Sequence, residues 1–190
     1  MQRKLKNIIK HILAIIVYNT FIRIKEFNDR MIGHTILSQL ENKGKHCMFE
    51  GYGKIYKPNK LKIGNHVFIG RNFFIRSDGG ILIGDYTHIS RNVTIHTVNH
   101  NISGGMLPYD KSEIKKEVII GNYVWIGMNV SILSGVTIGD GAVVGMGAIV
   151  SKNVNPGEII VSSQQRVIGN RDHNHTNSLL KQNMFLKLNK

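Results

Sequence analysis

Nine histidines, one cysteine and one tryptophan are spread over 190 residues. Of these side chains, imidazole is the one that can both take up and return a proton near neutral pH. Position has to separate the histidines. His96 and His100 stand four apart in "IHTVNH"; an extended chain sets their Cα atoms roughly 13 Å apart, so they do not readily chelate one metal ion within a single subunit. His100 is the last residue before a regular pattern breaks off, where it is either a general base or a solvated corner side chain. His173 and His175 lie in a polar tail and read as solvated. Cys47 is the only cysteine, which excludes an intramolecular disulfide and agrees with a reducing compartment. A buried structural thiol is expected at Cys47.

The pattern that positions these residues has a period of six. From Ile120 the leading residues are Ile120, Ile126, Ile132, Ile138, Val144 and Val150, and four places beyond each stand Val124, Val130, Val136, Ala142, Ala148 and Val154. Neither a 3.6-residue helix nor simple alternation has this period; short parallel strands joined by tight turns do, stacked as a solenoid in which no coil buries its core alone. Gly121, Gly127, Gly139 and Gly145 follow leading residues and are expected to relax the backbone there. Two earlier runs share the frame, Ile63, Ile69 and Ile75, then Ile83, Ile89 and Ile95. The eight-residue step from Ile75 to Ile83 predicts a bulge around Asp78, Gly79 and Gly80. A longer departure, residues 101–118, includes Pro108, and long loops in a regular solenoid are usually functional.

Register then makes neighbours of distant residues. Ile83 stacks beneath Ile120, which sets His88 beneath Trp125; His88 either lines an acceptor pocket or simply stacks on the indole. Trp125 occupies an outward repeat position, where a large aromatic marks an interface or a ligand surface.

Three segments divide the chain: residues 1–44, helical; 45–168, the solenoid with its 101–118 loop; and 169–190, a tail. In the first, Leu5, Ile8, Ile9, Ile12, Ile15 and Ile16 recur at helical spacing among Arg3, Lys4, Lys6, Lys10, Arg23 and Lys25. The charge-free stretch 12–22 is about half of the roughly 20 residues that cross a bilayer, and no small-x-small cleavage pattern follows it. Packing on the solenoid end and lying on an anionic membrane surface are the two readings. Met31, Ile32, Ile36, Leu37 and Leu40 predict a second short helix, and Leu180, Met184 and Leu188 a last one. A hydrophobic content of 42% is ample for a core, and a net charge of +13 favours an anionic partner. No zinc-finger spacing or aromatic-studded basic motif points to nucleic acid.

The stretch "VIIGNYVWIGMNVSILSGVTIGDGAVVGMGAIVSKNV", Val118 to Val154, resembles the left-handed β-helix, hexapeptide-repeat acyltransferases, with the wider resemblance running from Ile63 to Ile168. "VWIG" at Val124 to Gly127 points to the subgroup that acetylates sugars and small xenobiotics. The resemblance implies a mainly β, left-handed parallel β-helix, a homotrimer with active sites between subunits, and acetyl-CoA as donor with no metal. It places the catalytic histidine in a "T-x-x-H" segment, matched by Thr97-Val98-Asn99-His100. It puts Trp125 in the acceptor and pantetheine region, and Met128, Met146, Ser151, Lys152 and Arg166 along the CoA site. A flexible lysine such as Lys152 suits a phosphate.

The chain also departs from that family. Relatives commonly close with "AGNPAKVI", where this chain reads Val161-Ser162-Ser163-Gln164-Gln165-Arg166-Val167-Ile168. Around Arg76-Ser77-Asp78 an acceptor-site Asn of some relatives has no counterpart, which leaves Asp78 and His88 as acceptor-side candidates. Asp110, Glu113 and Glu117 are candidates to orient His100, and a backbone N–H, invisible in sequence, is a candidate oxyanion donor. The leading expectation is an acetyl-CoA-dependent O-acetyltransferase acting on a sugar hydroxyl in surface polysaccharide or lipid-linked glycan assembly, cytoplasmic or at the inner membrane face. Transfer to a sugar amine, serine or an antibiotic, a noncatalytic scaffold, and a γ-type carbonic anhydrase with zinc bridged between subunits are the alternatives.

Overall fold

The computed structural model describes residues 2–102, 109, 111–161, 166–170 and 173–183. Within them the six-residue period becomes strands of two to five residues that stack on three faces. A four-stranded face holds Leu61–Ile63, Ile81–Ile83, Val118–Ile120 and Thr137–Ile138. A five-stranded face holds Gly53–Tyr56, Phe73–Arg76, Thr94–His96, Ser131–Ile132 and Ile149–Val150. The seven-stranded face runs from Met48–Phe49 through Phe68–Ile69, His88–Ile89, Trp125–Ile126 and Val143–Val144 to Glu158–Val161 and Arg166–Asn170, the last pair antiparallel. The result is a parallel β-solenoid of about five turns.

The leading hexad residues form its interior: Ile69, Ile126, Ile132, Ile138 and Val150 are fully buried in one continuous core. Thr87 is, like Ser77 and Thr97, a fully buried polar residue. Its hydroxyl donates to the Gly121 carbonyl at 2.7 Å and accepts from Val124 N–H at 3.2 Å, so no hydrogen-bonding capacity is stranded. Sequence separation between stacked partners is 20 residues in the lower coils and 18 in the upper ones, and 37 where the long departure intervenes. The 78–80 bulge lengthens the coil from Ile63 to Ile83, and the turn at Pro58–Lys60 lies in the equally long coil below it.

The expectation for the hexad glycines is corrected. Gly121, Gly127, Gly139 and Gly145 are absent from the positive-φ positions; the left-handed corners are taken by Asn72, Asn92, Asn129 and then Gly147 at one edge and by His46, His66, Tyr86, Tyr123 and then Gly141 at another. What makes glycine necessary is proximity to the next coil: a Cβ on Gly127 would stand 2.7 Å from the Met146 backbone nitrogen. The asparagine corner is held by its own ladder, Asn72 Nδ2 donating to Asn92 Oδ1 at 2.8 Å and Asn92 Nδ2 to Asn129 Oδ1 at 2.9 Å. Asparagine tolerates the left-handed region better than most residues, and here each amide also pairs with the coil beside it.

The N-terminal segment differs from expectation in two respects. A single helix, α1 (Gln2–Ser38), replaces the two expected, because no proline interrupts it and Arg23 to Arg30 contains mostly helix-compatible residues. Only its C-terminal part packs. Asp29 is buried and paired with Arg71 at 3.2 Å, Gly33 lies against the Phe49 carbonyl, where a side chain would collide, and Leu40 closes the core just beyond the helix. Residues 11–28 are exposed apart from half-buried Ile22, so this stretch does not lie on the solenoid. At the other end α2 (His173–Lys181) includes Leu180, while Met184 and Leu188 lie outside the described residues. His173 is exposed.

Candidate active site

The regular solenoid ends locally at Thr97. This side chain is fully buried; its hydroxyl donates to the Arg76 carbonyl at 2.6 Å and accepts the Gly79 N–H at 2.9 Å, while its carbonyl accepts Lys116 N–H at 3.0 Å. One threonine thus ties together the coil below, the bulge at 78–80 and the returning chain. Gly79 is required by that junction: a Cβ would stand 2.8 Å from the Thr97 carbonyl oxygen and 2.9 Å from that of Lys116.

From this base the chain leaves as an antiparallel ribbon, Val98–His100 paired with Glu113–Lys115. The expected 101–118 departure is therefore corrected at both ends. Pairing begins at Val98, and Val118 has already rejoined the four-stranded face as a buried core residue. Pro108 and Asp110 lie outside the described residues.

His100 is exposed on the ribbon, and its ring stacks on Tyr109 with centroids 3.7 Å apart and planes 12° from parallel. The ribbon base, Arg76, His96, Leu133, Ser134 and Ser151 enclose a cavity of about 340 Å³ that His100 and Asn99 also line. This is within the usual range for a small-ligand site. His96 Nδ1 is 2.6 Å from the Val98 carbonyl oxygen; a carbonyl only accepts, so Nδ1 carries the proton and Nε2 is left as the acceptor. The Phe74 ring stacks on the same imidazole at 6.3 Å.

Arg76 links bulge and ribbon. Its Nε donates to Asp78 at 3.1 Å and its terminal nitrogen to Glu113 at 2.6 Å; Lys115 reaches the second Glu113 oxygen at 3.2 Å. Burial acts against the guanidinium charge, but the hydrogen bond and charge of Asp78, followed by those of Glu113, outweigh it and raise the Arg76 pKa. The hydrogen bond from Lys115, assisted by the charge of Arg76, holds the Glu113 carboxyl below its ordinary value. Glu113 is the register partner of His100, yet its oxygens are engaged by Arg76 and Lys115, and Glu117 lies over Gly80.

The other candidates fall in two places. Ser151 lines the cavity with His100, exposed Lys152 follows it, and Asp78 reaches the cavity wall only through Arg76. Trp125 and His88 are register neighbours on the seven-stranded face, away from the His100 ribbon in the same chain. The indole is 54% exposed, as an outward position requires. His88 packs on Phe68 with centroids 5.6 Å apart, its Nε2 is buried without a hydrogen-bond partner among the described residues, and burial lowers its pKa. Met128 and Met146 meet at the asparagine-type corner, where Gly147 N–H donates to the Met128 carbonyl at 2.8 Å; Met146 is 63% exposed. Arg166 begins the last strand, and its side chain lies outside the described residues, as do Ser162 and Gln164.

Sequence reasoning did not single out Arg76, Asn99, Leu133 or Ser134 as cavity residues. For Arg76 a signal was present: the register that stacks Ile75 beneath Ile95 also stacks Arg76 beneath His96. A larger cavity, about 620 Å³, lies between α1 and the first coils and includes Cys47, Phe68 and Arg71. Cys47 there is half-buried and not fully buried as expected; its thiol donates to the Gly64 carbonyl at 3.0 Å, and burial raises its pKa, so it remains a protonated, unreactive thiol.

Comparison with known proteins follows the same geography. Residues 117–152 match the family described as bacterial transferase hexapeptide (six repeats), and residues 60–96 match the hexapeptide repeat of succinyl-transferase. Galactoside O-acetyltransferase of Escherichia coli (strain K12) is 37% identical over 123 residues, covering 58% of this chain and 57% of the relative. Polysialic acid O-acetyltransferase of Escherichia coli O1:K1 / APEC is 40% identical over 113 residues, covering 55% and 37%. Among solved structures, a galactoside acetyltransferase in complex with coenzyme A superimposes with a TM-score of 0.67 at 29% identity, covering 74% of this chain and 70% of that one. The chain spans less than two thirds of the length of the curated relatives it matches. Hexapeptide repeats are thus matched on both sides of the ribbon, and the solenoid is shared with a transferase structure.

Proposed function

We propose that this protein is an acetyl-CoA-dependent O-acetyltransferase acting on a sugar hydroxyl, in the assembly of surface polysaccharide or lipid-linked glycan. The observation that carries the reading is the cavity at the ribbon base, where an exposed imidazole, His100, shares one wall system with Ser151 and Leu133. The names of the relatives support the donor and the acceptor class.

In the reaction His100 takes the proton of the acceptor hydroxyl as its oxygen attacks the thioester carbonyl. A C–O bond forms, the C–S bond breaks, and the imidazolium returns the proton to the departing CoA thiolate. Tyr109, stacked on the ring, restricts its orientation. On this reading Met128 and Met146 offer apolar surface to the pantetheine arm, Ser151 and Lys152 serve the phosphates, Lys152 as an exposed point charge, and Arg166 is assigned to the CoA site by its sequence position alone. Trp125, His88 and Asp78 belong to the acceptor side. Because Trp125 and His88 stand on a different face from His100, the complete site needs the seven-stranded face of a neighbouring subunit, which is the reason for proposing a homotrimer. The enzyme works in the cytoplasm at the inner face of an anionic membrane.

The test is titration of the purified protein with CoA and acetyl-CoA while following the fluorescence of Trp125, the only tryptophan, then thiol release with a panel of sugars and amines. A saturable change and sugar-dependent release are expected. Absence of both fluorescence change and heat of binding would sink the transferase reading in favour of a scaffold, and release with amines only would move the acceptor.

A further inference from the structure

Helix α1 carries a surface used by neither the solenoid nor the cavity. Residues 12–22 read Ile-Leu-Ala-Ile-Ile-Val-Tyr-Asn-Thr-Phe-Ile, and Ile12, Leu13, Ile16, Val17 and Phe21 are each half or more exposed. Consecutive helical positions turn through about 100°, so this run of apolar residues circles the helix several times and leaves it without a polar face. The Thr20 hydroxyl is already satisfied, donating to the Ile16 carbonyl at 2.8 Å, which leaves Asn19 and the Tyr18 hydroxyl as the polar groups of the belt. Lys10 and His11 precede it, Arg23 and Lys25 follow it, and residues 10–25 contain no acidic side chain.

Such a belt has to be covered, and its flanks select the cover. No described helix is long and apolar enough to cross a membrane; the belt itself spans about 16 Å against a hydrocarbon core of about 30 Å. Upright insertion would drive Lys10 and the basic residues before it toward the bilayer centre, at a high cost. Pairing with copies of itself would use one seam and leave the remaining apolar surface in water, with like charges meeting at the ends. A helix lying along an anionic interface meets neither objection: the belt sinks among the acyl chains, and the flexible basic side chains at both ends reach back to lipid phosphates.

We propose that residues 10–25 of α1 dock on an anionic bilayer, lying in the plane of the interface with the belt beneath the headgroups. This rests on the proposed placement at a membrane face and is independent of the catalytic assignment. The test is co-sedimentation of the full chain with phosphatidylcholine vesicles, alone or containing phosphatidylglycerol, with CoA binding measured on the same preparations. The wild-type chain is expected to sediment with the phosphatidylglycerol vesicles, the Ile16→Glu, Phe21→Glu variant to lose about tenfold or more in vesicle affinity, and the Arg23→Glu, Lys25→Glu variant to lose the dependence on phosphatidylglycerol. All these residues are exposed, so CoA binding of the variants reports that they remain folded. Wild-type protein left in the supernatant, or a belt variant that binds vesicles normally while its assembly mass falls in size-exclusion light scattering, overturns the proposal; the latter outcome assigns the belt to contacts between copies. Vesicle binding without CoA binding would instead remove the transferase reading and leave this one standing.

Discussion

Residues 118–154 and residues 76–117 are built from the same hexad, and they put it to different uses. In the upper stretch the hexads run without interruption, stacked partners are 18 residues apart until Ile138 meets Val154, and each leading side chain vanishes into the core. In the lower stretch the frame is broken twice, by the bulge at 78–80 and by the ribbon that begins at Val98, and both breaks converge on Thr97. The regular coils bury two positions of every hexad and hold outward side chains in register with the next coil, which limits the freedom of an imidazole there. The interruption creates that freedom and then restrains it, through Thr97, Gly79 and the Arg76 ion pairs.

Four substitutions would break or sharpen this contrast. The largest effect is expected at the interruption: His100→Ala should lower turnover by about 10²–10⁴-fold while leaving CoA affinity near wild type, read from steady-state kinetics beside a CoA titration. Normal turnover in that variant would remove His100 from the mechanism. In the regular coils Ile126→Ala opens a cavity in a packed interior and should cost about 2–5 kcal/mol of stability, seen as a lower denaturation midpoint in guanidinium. A stability loss confined to the ribbon variants would contradict the division of labour.

Gly79→Ala joins the two regions. Its Cβ would press on the Thr97 and Lys116 carbonyls, so about 1–3 kcal/mol of destabilisation is expected together with a fall in kcat, because the ribbon base must move. Unchanged kcat would show that His100 does not depend on the junction. The smallest effect belongs to Glu113→Gln. The Glu113 pKa is depressed by the Lys115 hydrogen bond and the Arg76 charge, so its contribution is full above the ordinary carboxylate range and disappears as pH falls through the depressed value. The variant should therefore lose the acid-side change in ribbon protection that the wild type shows in hydrogen exchange across mildly to strongly acidic pH. Identical profiles would mean that the ion pairs do not hold the ribbon.

Legibility followed the same boundary. Where the hexad is intact, position alone specified burial: Ile126, Val130 and Ile132 read as interior and are interior, and register arithmetic placed His88 beneath Trp125. Periodicity also located the bulge and the departure. It misjudged what the glycines do, because a six-residue period reports that a side chain is excluded without saying whether a torsion or the backbone of the next coil excludes it. It overlooked Arg76 as a wall of the cavity, although the same arithmetic stacks Arg76 beneath His96.

By itself, then, the sequence determined the solenoid, its interior and the points where the repeat fails, because burying a repeated apolar residue against its own copies is a local, periodic requirement. Only the tertiary structure decided that two distant breaks meet at one threonine, that Glu113 is engaged by Arg76 and Lys115 and Tyr109 stacks on His100, and that half of α1 stands clear of the solenoid. Those contacts join residues with no common period, and side-chain geometry in three dimensions selects among partners that spacing leaves equivalent.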